Sequence, residues 1–321
     1  MIEVRLRALA RSLANVELAD VDTSIGDGAG SVGDIGYFFV SEDPRALGRA
    51  LRWATSQSLD RVEVLAGSGA SDLARRAELI GCQPRVGVWA VDGAEVSPAE
   101  PGPCAQPPTL PADHWALAGI MSEAGASPID DYGVLVGEVA GLEIARVVDG
   151  FDGPVIDIGV GQADRELNQF VHSDLDIDTG LRRVIAAVAE FRSGHAHHPL
   201  TRVARERWLR ASLVDDPSPV GATHLEPLVP LRPRQGLMAT QPAACHGQLA
   251  SGEPVVVVTM VGVDLDLVPE AVDYRHRCDP SAQLILAMPG RDLDLNVGLL
   301  EGVERARAMA IEGPWIRSGI R

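Results

Sequence analysis

The alternation of short β-branched or aromatic runs with helical periods constrains this chain most. "YFFV" (37–40), "RVEVLAG" (61–67) and "VGVWAVDG" (86–93) read as strands. Between them lie "EDPRALGRALRWATSQS", with Asp43 to cap and Pro44 at the first helical position, and "SDLARRAELIG", with Ser71 to cap and Gly81 to stop. Strands that alternate with helices predict a small, largely parallel sheet. Residues 94–113, "AEVSPAEPGPCAQPPTLPAD", are dense in proline and small residues and carry no hydrophobic period, which predicts a linker. The fold expected is therefore α/β: a small N-terminal β-α-β-α-β domain over 1–94, a proline-rich linker over 95–112, and a larger α/β domain over 113–321.

In the larger region a helix, "HWALAGIMSEAGA", precedes three strand candidates, "GVLVGEV", "GLEIARVV" and "PVIDIGVG", which predict a meander flanked by helices. "ADRELNQFVHSD", "TGLRRVIAAVAEFRSG" and "HPLTRVARERWLRASLV" read as helices, and 215–253 as loop-rich. "PVVVVTMVGV" is a continuous apolar run of the kind buried on both faces. "VPEAVDYRHRC" then reads as a helix, "AQLILAMPG" as a strand and "NVGLLEGVERARAMA" as a closing helix. Segment 254–289 repeats the strand–helix–strand layout of 37–67.

Charge and residue usage exclude several chemistries. The net charge is −17, which repels nucleic acid at long range, so nucleic-acid binding needs a local basic patch or metal ions. All 28 residues in the Lys+Arg count are arginine. A Schiff-base lysine, a P-loop lysine and a lysine general base are thus absent, and arginine stays protonated and cannot act as a base. The four cysteines are scattered without a CxxC, which argues for reduced thiols and a cytoplasmic chain. No apolar run approaches the ~20 residues that span a bilayer.

Charged residues inside apolar strands need a reason, and "GLEIARVVDGFDGPVIDIGVG" (141–161) carries Glu143 and Asp157 in this way. A turn at "DGFDG" that pairs Val148 with Pro154 sets Ala145 opposite Asp157. Glu143 and Asp157 then share a face as diagonal neighbours with Cβ atoms roughly 7 Å apart, beside the small residues Ala145 and Gly159. Two carboxylates over a hollow suit Mg²⁺ or Mn²⁺, which would activate water and neutralise a phosphate. The alternatives are solvated side chains, or an internal ion pair with Arg146 or Arg165.

A helix followed by a meander with acids on its second and third strands resembles the core of the PD-(D/E)XK nuclease superfamily over about residues 113–175. The resemblance implies that Glu143 and Asp157 hold the metal, that Glu123 on the preceding helix supplies an extra acid, and that Gln169 lies where some members carry a glutamine. The chain departs from the pattern at the motif's lysine, where Gly159 stands. The resemblance thus implies a metal-dependent phosphodiester hydrolase with a variant base, or a catalytically degenerate relative that binds nucleic acid or nucleotide. The other reading is a non-enzymatic α/β binding or scaffold protein that acts through its acidic surface.

Further constellations are weaker. "GAGSVG" (28–33) has the spacing of a dinucleotide loop but leads into a strand, not a helix. "HAHH" (His195, His197, His198) offers imidazoles to a transition metal. Arg202, Arg205, Arg207 and Arg210 form a basic cluster on a predicted helix; it would grip an anion, with Arg202 and Arg205 as its ligands, or pair with the chain's own acids. Asp264, Asp266, Asp292 and Asp294 follow predicted strands, where open α/β sheets place ligands but where acids also make good turns.

Overall fold

A computed structural model describes residues 1–43, 45–81, 83–162, 164–165, 176–192, 199–296 and 298–316. It is an α/β structure with three sheets, ordered β1-β2-β3-β4-β5, β6-β7-β8-β9 and β10-β11-β12-β13-β14. The chain forms two compact units. The first takes Met1–Cys104, Val263–Pro280 and Asp294–Arg307, and the second takes Ala105–Gly262, Ser281–Leu293 and Ala308–Arg321. The first unit thus contains segments beyond 262 that the sequence groups with 113–321. No helix among the described residues is long and apolar enough to cross a membrane.

In the first unit β2 (Ile35–Val40), β3 (Arg61–Ala66) and β4 (Arg85–Asp92) are parallel, in the register Ile35↔Arg61↔Arg85. Antiparallel β1 (Ala29–Val32) and β5 (Glu95–Pro98) flank them, so the start of the proline-rich stretch is a strand. Alternation along β2 sends Tyr37 and Phe39 into a core with Leu6 and Leu9 of helix α1 (Ile2–Ala14). Phe38 points the other way and meets Trp53 of helix α2 (Leu47–Ser56), ring centroids 6.0 Å apart. The next crossover helix, α3 (Ala70–Ile80), stops at Gly81 (φ 58), as expected, but begins at Gly69 (φ 63) with no serine cap. Asp43 accepts the Arg45 N–H instead of capping α2.

In the second unit α4 (Ala112–Trp115) and α5 (Ala118–Ala124) replace the single expected helix. Then come β6 (Ser127–Asp130), β7 (Leu135–Val139), β8 (Leu142–Gly150) and β9 (Gly153–Ile158), an antiparallel meander with one strand more than expected. Helix α6 (Ile177–Arg192) packs Leu181 and Val188 into the core of this sheet. The expected helix from 200 is split: Pro199–Arg202 is a 3₁₀ turn, Ala204 is left-handed (φ 47), and α7 runs Arg205–Asp215.

The stretch 215–253 is not simply loop, because β10 (Ala222–Pro227) and β11 (Ala243–Leu249) lie in it. β12 (Pro254–Thr259) is buried on both faces, as its sequence predicts, and runs parallel to β13 (Gln283–Met288). Between them in sequence stands α8 (Leu267–Cys278). The expected closing helix is absent from the described residues: α9 (Leu293–Asn296) is one turn, and Ala306–Ala310 is strand β14. "ARAMA" has helix-forming residues, and its place at a sheet edge overrides that preference.

Candidate functional site

The hairpin of β8 and β9 is not in the expected register. Val148 pairs with Val155 and Arg146 with Asp157, one residue away from the pairing of Val148 with Pro154. Strict alternation would now put Glu143 and Asp157 on opposite faces. A bulge intervenes: Gly137 opposes Ala145 and Glu138 opposes Glu143, so Ile144 is the extra residue. The two one-residue offsets cancel, and Glu143 returns to the face that carries Arg146 and Asp157.

The acids therefore do come together, each side chain 13% exposed, but the hollow between them is filled. Arg146 donates from Nε to Glu143 Oε1 (2.7 Å) and from Nη2 to Oε2 (3.0 Å). Arg165 donates from Nη1 to Glu143 Oε1 (3.0 Å), and its Nε stands 3.4 Å from Asp157 Oδ2. One guanidinium thus bridges both carboxylates. The hydrogen bonds that Arg146 donates to Glu143 hold it protonated above its ordinary range.

The ion pairs extend across the sheet. Glu138, opposite Glu143, is buried and accepts from Arg207 Nη1 (3.2 Å) and from Arg210 Nη2. Arg207 also donates to Asp131 Oδ1 (2.7 Å). Asp157, Glu143, Asp131 and Glu138 are thereby paired with Arg165, Arg146, Arg207 and Arg210, and Arg234 adds a pair with Glu206. The approach that permits this depends on Gly141 (φ +74) in the β7–β8 turn. A Cβ there would lie 2.3 Å from the carbonyl carbon and oxygen of Arg207.

The other expected site residues fall elsewhere. Glu123 is exposed on α5, and no group of three or more His, Cys, Asp or Glu among the described residues could hold a metal. The metal reading, with Mg²⁺ or Mn²⁺ on Glu143 and Asp157, thus has only two acids, both engaged by arginine. Gln169 and the histidines His195, His197 and His198 lie outside the described residues. Arg202 is exposed and Arg205 half-buried, whereas Arg207 and Arg210 are the members of that cluster that turn inward. They pair with Glu138 of β7 and with Asp131, just after β6, and not with Asp215 or Asp216. Gly159, at the motif's lysine position, has φ +146, and a Cβ would lie 2.9 Å from Arg165 N and 3.0 Å from its Cγ. A side chain there and the Arg165 bridge exclude one another.

The sequence named Arg146 and Arg165 as ion-pair candidates but not Glu138 or Asp131. A lone glutamate in the apolar run "LVGEV" was the available signal. In the first unit a second concave feature, of about 900 Å³, lies at the carboxyl ends of β3 and β4, lined by Gly67, Ser68, Ser71, Asp92, Glu95 and others. No protein-family model, no curated protein and no solved structure matches the chain.

Proposed function

We propose that this chain is a non-enzymatic α/β binding protein whose sheet-face carboxylates serve structure and not metal chemistry. The observation that supports this reading is the Arg165 guanidinium, which pairs with Glu143 and Asp157 in the space a shared cation would take. A cation would have to displace a largely buried guanidinium, and separating such a pair costs about 3–5 kcal/mol. The net charge of −17 makes a cationic partner, such as a basic protein segment, favoured over a polyanion. The test is titration calorimetry with Mg²⁺ and Mn²⁺ at physiological ionic strength. No saturable binding is expected; saturable binding that disappears in Glu143→Gln would overturn the reading.

The convergence of Glu143 and Asp157 on one face favours a second reading, a metal-dependent phosphodiester hydrolase with Arg165 swung aside. That reading requires Mn²⁺-stimulated cleavage of DNA or RNA that is lost in Asp157→Asn. A nuclease assay with and without chelator separates the two.

A further inference from the structure

The turn that joins β8 and β9 carries a side chain that the fold does not use. Gly150 pairs with Gly153, so only Phe151 and Asp152 lie between the strands. Two-residue hairpin turns favour Gly, Asn and Asp, which take the required backbone angles at least cost. A phenylalanine adds nothing to such a turn, and Phe151 is 103% exposed, its ring wholly in solvent. Val155, 47% exposed, adjoins it: its Cγ1 lies 2.9 Å from where a Cβ on Gly150 would stand. A Cβ on Gly153 would meet nothing within 4 Å, so the space beside the turn is open.

The turn is also held in place. Asp149, near the end of β8, meets Nε2 of His114 through its Oδ1 at 3.0 Å. His114 belongs to α4 and is buried, and Asp113 Oδ1 accepts its backbone N–H at 3.0 Å. Trp115, the next residue of α4, is 51% exposed. Two exposed aromatic rings thus stand one and two residues from a single contact that ties α4 to the hairpin. A ring presented on a fixed element loses little freedom when a partner covers it, and aromatic side chains bury about 150–250 Å² each.

Charge selects the partner. Residues 149–155 carry two acids, Asp149 and Asp152, and no basic residue, and both acids are exposed. Asp113 is exposed beside His114. An apolar anchor with a rim of one sign of charge fits a surface of the opposite sign, and it repels polyanions and anionic lipid.

We propose that the β8–β9 turn docks a basic segment of another protein, with Phe151 seated in an apolar cleft of the partner and Asp149 and Asp152 paired with lysine or arginine at its rim. Phe151 is the anchor, and Val155 and Trp115 widen the apolar contact. This surface deepens the binding reading given above and rests on its cationic partner.

The test is titration calorimetry of the full chain with a synthetic amphipathic peptide of leucine and lysine, at physiological ionic strength. Saturable binding is expected, with none for the leucine–glutamate counterpart. Phe151→Ser should weaken it about thirtyfold and leave the denaturation midpoint unchanged. The double variant Asp149→Asn, Asp152→Asn, which keeps an acceptor for His114, should weaken it and flatten its salt dependence. Binding undiminished in Phe151→Ser would overturn this surface and leave the cationic partner standing. No binding of the peptide would overturn both. Self-association, or uptake on phosphatidylglycerol vesicles, that is lost in Phe151→Ser would assign the turn to a second copy or to lipid and overturn the proposal as well.

Discussion

The sheet face of the second unit and the Arg45 cluster of the first solve the same problem differently. Both enclose carboxylates, and neither has lysine to draw on. On the sheet face Glu143, Asp157, Asp131 and Glu138 are each paired with at least one guanidinium. In the first unit Arg45 pairs with Asp264 and Glu270, and Asp266 lies beside them. Burial pushes the Asp266 carboxyl there up to about 7.

The harshest test of the sheet face is Arg165→Met. It removes the guanidinium that bridges Glu143 and Asp157. The expected loss is about 3–5 kcal/mol in chemical denaturation, with much of it recovered by adding Glu143→Gln and Asp157→Asn. A loss below about 1 kcal/mol would mean that the network does not serve structure.

Asp266→Asn sharpens the contrast by removing the Asp266 charge. Because the folded-state value lies above the ordinary carboxylate range, only the folded chain holds this proton between roughly pH 4 and 7, so its contribution to stability falls as pH rises and levels above 7. The variant should gain about 4 kcal/mol at pH 8 and nothing at pH 4, read from denaturation midpoints at the two pH values. The equivalent neutralisation Glu143→Gln on the sheet face should destabilise at pH 8. Gly48→Ala forces α2 away from Leu265 in the Arg45 cluster, and a loss of about 3 kcal/mol is expected from the same midpoints. The smallest effect is expected for Glu123→Ala, an exposed acid outside both clusters, at within about 0.5 kcal/mol.

Strands rich in β-branched and aromatic residues were legible: β2, β3, β4, β12 and β13 lie where the sequence predicts them. β10, β11 and β14 were not, because "ATHLEP", "AACHGQL" and "ARAMA" carry little β preference and become strands through their neighbours in the sheet. The convergence of Glu143 and Asp157 was anticipated from a register that the hairpin does not adopt. A bulge at Ile144 has no local sequence signature that would have predicted the compensation. The proximity of Arg146 to Glu143 was readable from a spacing of three residues. That of Asp266 to Gly48 was not, since nothing in either segment points across such a separation.

The first unit's dependence on Val263–Pro280 and Asp294–Arg307 has a consequence for biosynthesis. Arg75 and Arg76, buried against Asp273, belong to a stretch that leaves the ribosome long before their counter-charge has been made. At roughly 5–20 residues per second, the nascent N-terminal sheet waits on the order of 10–40 s for its last pieces. During that interval it is an incomplete intermediate, exposed to chaperones and proteases, and a gene cut after codon 104 would leave it so permanently.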